Sequence, residues 1–291
     1  MTAGPGPSVA NGMYFEDFRV GQRFQSPPHV VTEQALEQFA NVSGDKSPIH
    51  VDSDYAASTQ FGQRLVHGPY GLARFFGALH DMRIVEGTVI GLLDTNWRYL
   101  QPLFVGDTIT FDITVTRCRR TSAGDRGVVN RHVVLTREDG TVLQEGTTAF
   151  MVKARDVAVL GTESAALDFC GPRWTKDLAA HLADDTDFVA STRSFDGTIG
   201  FQAGTVATCL RIYKGTILEA APKSLLGSTF TVQASELVWT RFMTGPRNDF
   251  IPRTLRGEFS VSGSGYDYLR MTKALMRIWD CAREMAGAKR D

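Results

Sequence analysis

A chain of 291 residues has room for two domains of ordinary size, and its 43% hydrophobic and 22% charged content is that of a water-soluble globular protein. A formal net charge of −1 removes the basic excess that nucleic-acid binding needs, and no apolar run is long enough to span a bilayer. Four scattered cysteines, Cys118, Cys170, Cys209 and Cys281, have neither metal-type spacing nor the density of a disulfide framework, so a reducing cytoplasm is expected.

Residues 1–12 are small and polar, without the apolar stretch of a signal peptide, and are expected to form a disordered arm. Thr32 is placed to cap a helix over residues 33–42, where Leu36, Phe39 and Ala40 mark an apolar face. The run Gly44-Asp45-Lys46-Ser47-Pro48-Ile49-His50-Val51-Asp52 follows. It sets an acid and a histidine five residues apart with a proline between them. Asp52 then caps a short helical piece. Residues 68–82 read as a longer helix, apolar around most of its circumference through Leu72, Phe75, Phe76, Leu79 and Met82, and thus buried on most sides. From residue 88 the period shifts to two. Strands are predicted over 88–99, 108–119, 127–137 and 141–152, with Glu138-Asp139-Gly140 as a hairpin turn. One central helix followed by a run of antiparallel strands is an α+β arrangement.

Between residues 154 and 168 the pattern weakens into small and polar side chains, which marks a linker between a first domain over 13–153 and a second over 169–291. In the second, helices are predicted over 174–182, 235–244 and 268–285. Strands are predicted over 189–195, 197–202, 206–213, 214–219, 228–234 and 255–262. This is another α+β unit and not a repeat of the first.

Several of these motifs resemble known families. Gly44-Asp45-x-x-Pro48-Ile49-His50-Val51-Asp52, with Tyr55-Ala56, Phe61-Gly62 and His67-Gly68 after it, resembles the hydratase-2 motif of MaoC-like proteins. Tyr14-Phe15-Glu16-Asp17-Phe18-x-Val20-Gly21 and Pro102-Leu103-Phe104-Val105-Gly106-Asp107 extend that resemblance across the first half. It implies a hot-dog fold and an R-specific enoyl-CoA hydratase or related dehydratase. The second half is similar to sterol-carrier-protein-2 domains. The similarity rests on Thr229-Phe230-Thr231-Val232, Ser235-Glu236-Leu237, Met243-Thr244-Gly245 and 255–263, and covers roughly residues 197–285. It implies an apolar tunnel for acyl chains, sterols or acyl-CoA, with Trp239, Phe242, Met271 and Trp279 as candidate lining.

Asp45 and His50 carry the chemistry in this reading. Read from spacing alone, Asp45 caps its loop and His50 satisfies a buried backbone group, the commoner use of a lone Asp/His pair. The resemblance implies instead that the two activate one water for addition across an α,β-double bond. Gly68, at a helix start, is the implied donor to the thioester oxyanion. Ser47 stands where most of the family has Asn, and its hydroxyl can do part of the loop-holding work. Phe76 stands near the place of a helix serine in characterised hydratases, where it shapes an acyl pocket or fills core. His67, Glu16 and Asp17 are read as structural. No metal ligand set and no cofactor are expected. The expected partners are an acyl-CoA or acyl-carrier-protein substrate, a lipid ligand in the second domain and a second copy of the chain. The alternatives are an acyl- or sterol-binding protein with an inactive hot-dog scaffold, and a hot-dog thioesterase.

Overall fold

The computed structural model describes residues 12–157 and 165–287, and the chain divides into two units, Met1–Leu160 and Gly161–Asp291. Most of the expected arm, and residues 158–164 of the expected linker, lie outside the described residues. Gly12 is already held, its N–H donating to Glu86 O at 2.7 Å.

The first unit opens with a single 3-10 turn, Phe15–Asp17, tied by Tyr14 N–H to Asp17 Oδ2 at 2.9 Å. Two short strands follow, β1 (Arg23–Gln25) and β2 (His29–Val30), which the sequence patterns do not reveal because two or three residues are too few for a period. Helix α1 (Glu33–Ser43) is capped by Thr32, whose hydroxyl accepts from Ala35 N–H at 3.1 Å, and ends at Gly44 with φ of 75°. Two one-turn helices, α2 (Pro48–Val51) and α3 (Ser53–Ala57), follow, the second capped by Asp52. Helix α4 spans Gly68–Asp81. Then come the long strands β3 (Val89–Tyr99), β4 (Thr108–Arg120), β5 (Arg126–Arg137) and β6 (Val142–Lys153). The turn between β5 and β6 uses Gly140 at φ of 84°, where a Cβ would be strained.

The strands pair antiparallel in the order β1-β4-β5-β6-β3, with β2 also on β4. Alternate residues point at α4: Ile109, Phe111, Ile113 and Val115 of β4 and Val129, Val133 and Leu135 of β5 are buried with Tyr70, Phe75, Ala78 and Leu79 of the helix. A buried helix packed on an antiparallel sheet is the hot-dog arrangement that the motifs imply.

In the second unit, α5 (Pro172–Ala183) and α6 (Thr186–Thr192) precede β7 (Asp196–Ala203), β8 (Val206–Tyr213), β9 (Thr216–Ala221) and β10 (Phe230–Ala234). Helices α7 (Glu236–Met243) and α8 (Phe250–Leu255), strand β11 (Ser260–Gly263), and helices α9 (Gly265–Arg270) and α10 (Thr272–Met285) complete it. The sheet order is β11-β10-β7-β8-β9, parallel between β10 and β7 and antiparallel elsewhere.

Three expectations fail here. The strand expected over 189–195 is mostly helix. Asp185 caps α6 by accepting from Phe188 N–H at 2.8 Å, and Phe188 and Thr192, four residues apart, share its buried face. Val189 and Thr192 are β-branched and favour a strand locally, but the cap and the buried face decide for a helix. The strand expected over 255–262 begins only at Ser260, because Leu255 still belongs to α8. The closing helix breaks at Met271, so α9 and α10 bury different faces, with Leu269 exposed and Met271 buried. Trp239, Phe242, Met271 and Trp279 are all buried. The Trp239 and Trp279 rings meet edge-on at 5.3 Å, and Phe242 packs 6.0 Å from Trp279.

Candidate active site

The loop between α1 and α2 carries Asp45, and its carboxylate is held from behind. Ser47 Oγ donates to Oδ1 at 2.6 Å and Ser47 N–H donates to the same oxygen at 3.1 Å. The Ser47 hydroxyl, then its N–H, holds the Asp45 carboxyl below the ordinary range, with the nearby histidines adding to this and partial burial opposing it. The other oxygen, Oδ2, faces His50.

Pro48 at the first position of α2 turns the chain so that His50 comes back over Asp45. His50 Nδ1 lies 2.8 Å from Leu65 O. A carbonyl only accepts, so Nδ1 carries the proton and Nε2 is left with its lone pair. That nitrogen lies 3.7 Å from Asp45 Oδ2. Leu65 is itself fixed, donating its N–H to Ile49 O at 3.1 Å and bridging to Phe104.

His67, read from the sequence as structural, completes the cluster. Its ring stacks on His50 with centroids 3.9 Å apart, and its Nε2 donates to Asp45 O at 2.8 Å. It thereby clamps the backbone of the acid loop. Nothing in the sequence marks it beyond its place beside Gly68. Ligand atoms of Asp45, His50 and His67 lie within 4.8 Å of one another, the spacing of a metal set. As arranged, His67 Nε2 bears a proton shared with the Asp45 carbonyl and has no lone pair to offer there.

Gly68 is the first residue of α4. Its N–H has no partner inside the helix, and Pro69 brings none. Gly68 and His50 line a cleft of about 350 Å³ with Tyr99 and Gln144. A Cβ at Gly68 would lie 3.3 Å from the Tyr99 ring, so the glycine keeps this wall open. Gln144 of β6 steadies the turn by donating Nε2–H to Gly68 O at 3.1 Å, while its Oε1 accepts from Trp97 Nε1–H at 2.8 Å. Sequence reasoning missed Gln144; its only signal was a polar residue beside the apolar positions of a strand. Asp45, Ser47, His50 and Gly68 therefore share one end of the unit. Phe76 does not join them. It lines a separate, mostly apolar cavity with Leu79, Val89, Leu92 and Phe150. Glu16 and Asp17 accept from Arg155 and Arg120, away from this cleft.

Comparison with known proteins places this unit. The family model for the MaoC like domain matches residues 17–137. The (R)-specific enoyl-CoA hydratase of Rhodospirillum rubrum is 32% identical over 142 residues, which are 49% of this chain and 93% of that enzyme. The chain belongs to the MaoC-like family. Protein MaoC of Klebsiella aerogenes is 33% identical over 104 residues, and there the match covers 36% of this chain and 31% of that protein. The crystal structure of a MaoC-like dehydratase from Rhodospirillum rubrum aligns with 50% of this chain and 99% of its own, at 27% identity and a TM-score of 0.44. No helix among the described residues of this MaoC-like protein is long and apolar enough to cross a membrane.

Proposed function

We propose that the protein hydrates the α,β-double bond of an enoyl thioester, or removes water in reverse, by the R-specific course that two of its relatives are named for. One observation carries this reading. Asp45 Oδ2 and His50 Nε2, each anchored from behind, face one another across 3.7 Å.

That gap is too long for a direct hydrogen bond and suits one bridging water. Both atoms are acceptors, so a water between them donates to each and keeps a lone pair directed away from both. That lone pair attacks Cβ of the conjugated thioester. As the C–O bond forms, one water O–H breaks and its proton passes to the pair. The double-bond electrons move toward the thioester oxygen. The Gly68 N–H, at the positive end of α4, is the donor for that oxyanion. The pair then gives a proton to Cα, so that the OH and H of one water are added across the double bond and the pair returns to its starting state. CoA and carrier-protein thioesters both suit this chemistry.

Purified protein given enoyl-CoAs of graded length is expected to remove the conjugated absorbance and yield the (R)-3-hydroxyacyl product. Release of free thiol without that loss would instead make the protein a thioesterase, and neither change would leave a binding scaffold. The lipid-binding role expected of the second unit rests on its sequence motifs alone. The side chains named for a tunnel are packed on one another.

A further inference from the structure

The second cavity, about 390 Å³, contains a charge that the chemistry above does not use. Along β5 the inward positions Val129, Val133 and Leu135 are apolar, but the inward position between the first two is Arg131. It is 3% exposed and lines the cavity with Phe76, Leu79 and Phe150. Its Nε donates to Thr148 Oγ1 at 2.8 Å, and its guanidinium lies 4.1 Å from the Phe150 ring centre and 5.2 Å from that of Phe75. These rings offset part of its lost hydration. Among the described residues no carboxylate lies within 4.0 Å of it, and its two terminal nitrogens donate to nothing. Burial alone pushes it down to about 9, so it remains a cation at neutral pH. Glu86 also lines the cavity, and Arg83 stands 3.7 Å from its Oε2. The lining itself thus holds one guanidinium and one carboxylate that do not pair with each other, and the carboxylate has the exposed Arg83 beside it. His80 at the rim is exposed.

The two cavities share one face of α4. Gly68, Leu72 and Phe76 recur every four residues, with Gly68 on the His50 cleft and Phe76 on the second cavity. Eight residues of helix span about 12 Å. We propose that the substrate's acyl chain runs along this face and ends in a carboxylate held by Arg131, so that the substrate is the mono-thioester of a dicarboxylic acid and not of a plain fatty acid. This rests on the hydratase reading of the His50 cleft. The guanidinium is already withdrawn from bulk water in the free protein, so most of the desolvation falls on the incoming carboxylate, which gains a charge-assisted pair. A methyl-ended chain leaves the cation buried without a counter-charge.

The test is calorimetric titration of the full-length protein with saturated CoA thioesters, which cannot be hydrated and so report binding alone. Mono-CoA esters of dicarboxylic acids, from four to twelve carbons, are compared with alkanoyl-CoAs of equal length. At the best length the carboxylate-ended ligand is expected to bind at least about tenfold more tightly. Arg131→Met is expected to erase that preference, and Arg131→Lys to keep part of it. Equal affinities in the wild-type protein, no binding of either series, or a preference that survives Arg131→Met would overturn the proposal. Should Arg131→Met fail to fold, Phe76→Trp decides, because filling the cavity is expected to abolish the preference and its persistence would refute the assignment. Absence of enoyl-CoA turnover beside an intact preference would remove the hydratase reading and leave this site standing.

Discussion

At the scale of single residues, the candidate site is an acid and a base that never touch. Asp45→Ala and His50→Ala are each expected to lower kcat/KM for hydration by about 10²–10⁴-fold, the contribution usual for a positioned acid or base, with the far-ultraviolet circular dichroism unchanged. Full turnover by Asp45→Ala would reject the pair. Ser47 sets the state of the acid. Its two hydrogen bonds go to the charged form of Asp45 and favour it, so the folded carboxyl titrates below its unfolded value. The stabilisation linked to this is present above the unfolded pKa and is lost as pH falls through the folded one. Ser47→Ala removes the hydroxyl, the larger cause, and is expected to move the Asp45 titration upward, followed by the carboxyl carbon resonance. An unchanged midpoint would show that the N–H alone holds the acid. Arg131 shows what a residue-level reading of the sequence overlooks. The alternation of β5 marks position 131 as inward, yet a charged residue there reads as surface until the register is known.

At the scale of elements, the cleft depends on the start of α4, where Gln144 joins Trp97 of β3 to the Gly68 carbonyl. Gln144→Ala leaves the Trp97 indole N–H without its partner and frees the turn. The expected loss is about 1–3 kcal/mol of stability by denaturant titration, together with a fall in kcat/KM. Gly71 lies one turn along, and a Cβ there would come 2.3 Å from Gln144 Oε1. Gly71→Ala is therefore expected to displace the same amide and lower activity with a smaller cost in stability. Loss of stability in neither variant would show that the bridge is incidental. The long elements of this unit were legible because their periods are strong. The 68–82 helix and the four strands after residue 88 appear within two residues of their expected ends. Thr32 and Asp52 cap as their side-chain chemistry requires. The second unit was harder to read. In α6 local propensity lost to an aspartate cap and tertiary burial, and the closing helix hid a break where its buried face changes. The motif order located Asp45 and His50. The histidine stacked behind them, the glutamine across the turn and the separation of Phe76 from the cleft depend on which strand lies opposite which helix turn, which local pattern does not encode.

At the scale of the whole molecule, the sheet of the first unit ends in an open edge. Among the described residues β3 pairs only with β6, and Val89, Ile90, Leu92 and Leu93 along it are each between 44% and 51% exposed. Unpaired N–H and C=O groups beside a run of apolar side chains make an edge that proteins cover. A second copy of the chain offers the same edge, and two identical strands related by a two-fold axis can pair with each other. The β3–β6 ladder shifts register on either side of Ile90 and again before Asp94, so Ile90 and Leu93 fall outside the regular pairing and are available to a partner. We therefore expect a homodimer joined at β3, observed by light scattering at micromolar concentration. Ile90→Glu with Leu93→Glu sets like charges against each other across the axis and is expected to yield a monomer that keeps its circular dichroism. A wild-type protein that scatters as a monomer would reject the homodimer, and a double variant that stays dimeric would place the contact elsewhere. Because Tyr99 of the same strand walls the His50 cleft, activity measured across the dimer–monomer transition separates two outcomes. Turnover that falls with dissociation shows that pairing holds β3 in place for the site, and turnover that persists shows that each first unit is catalytically complete.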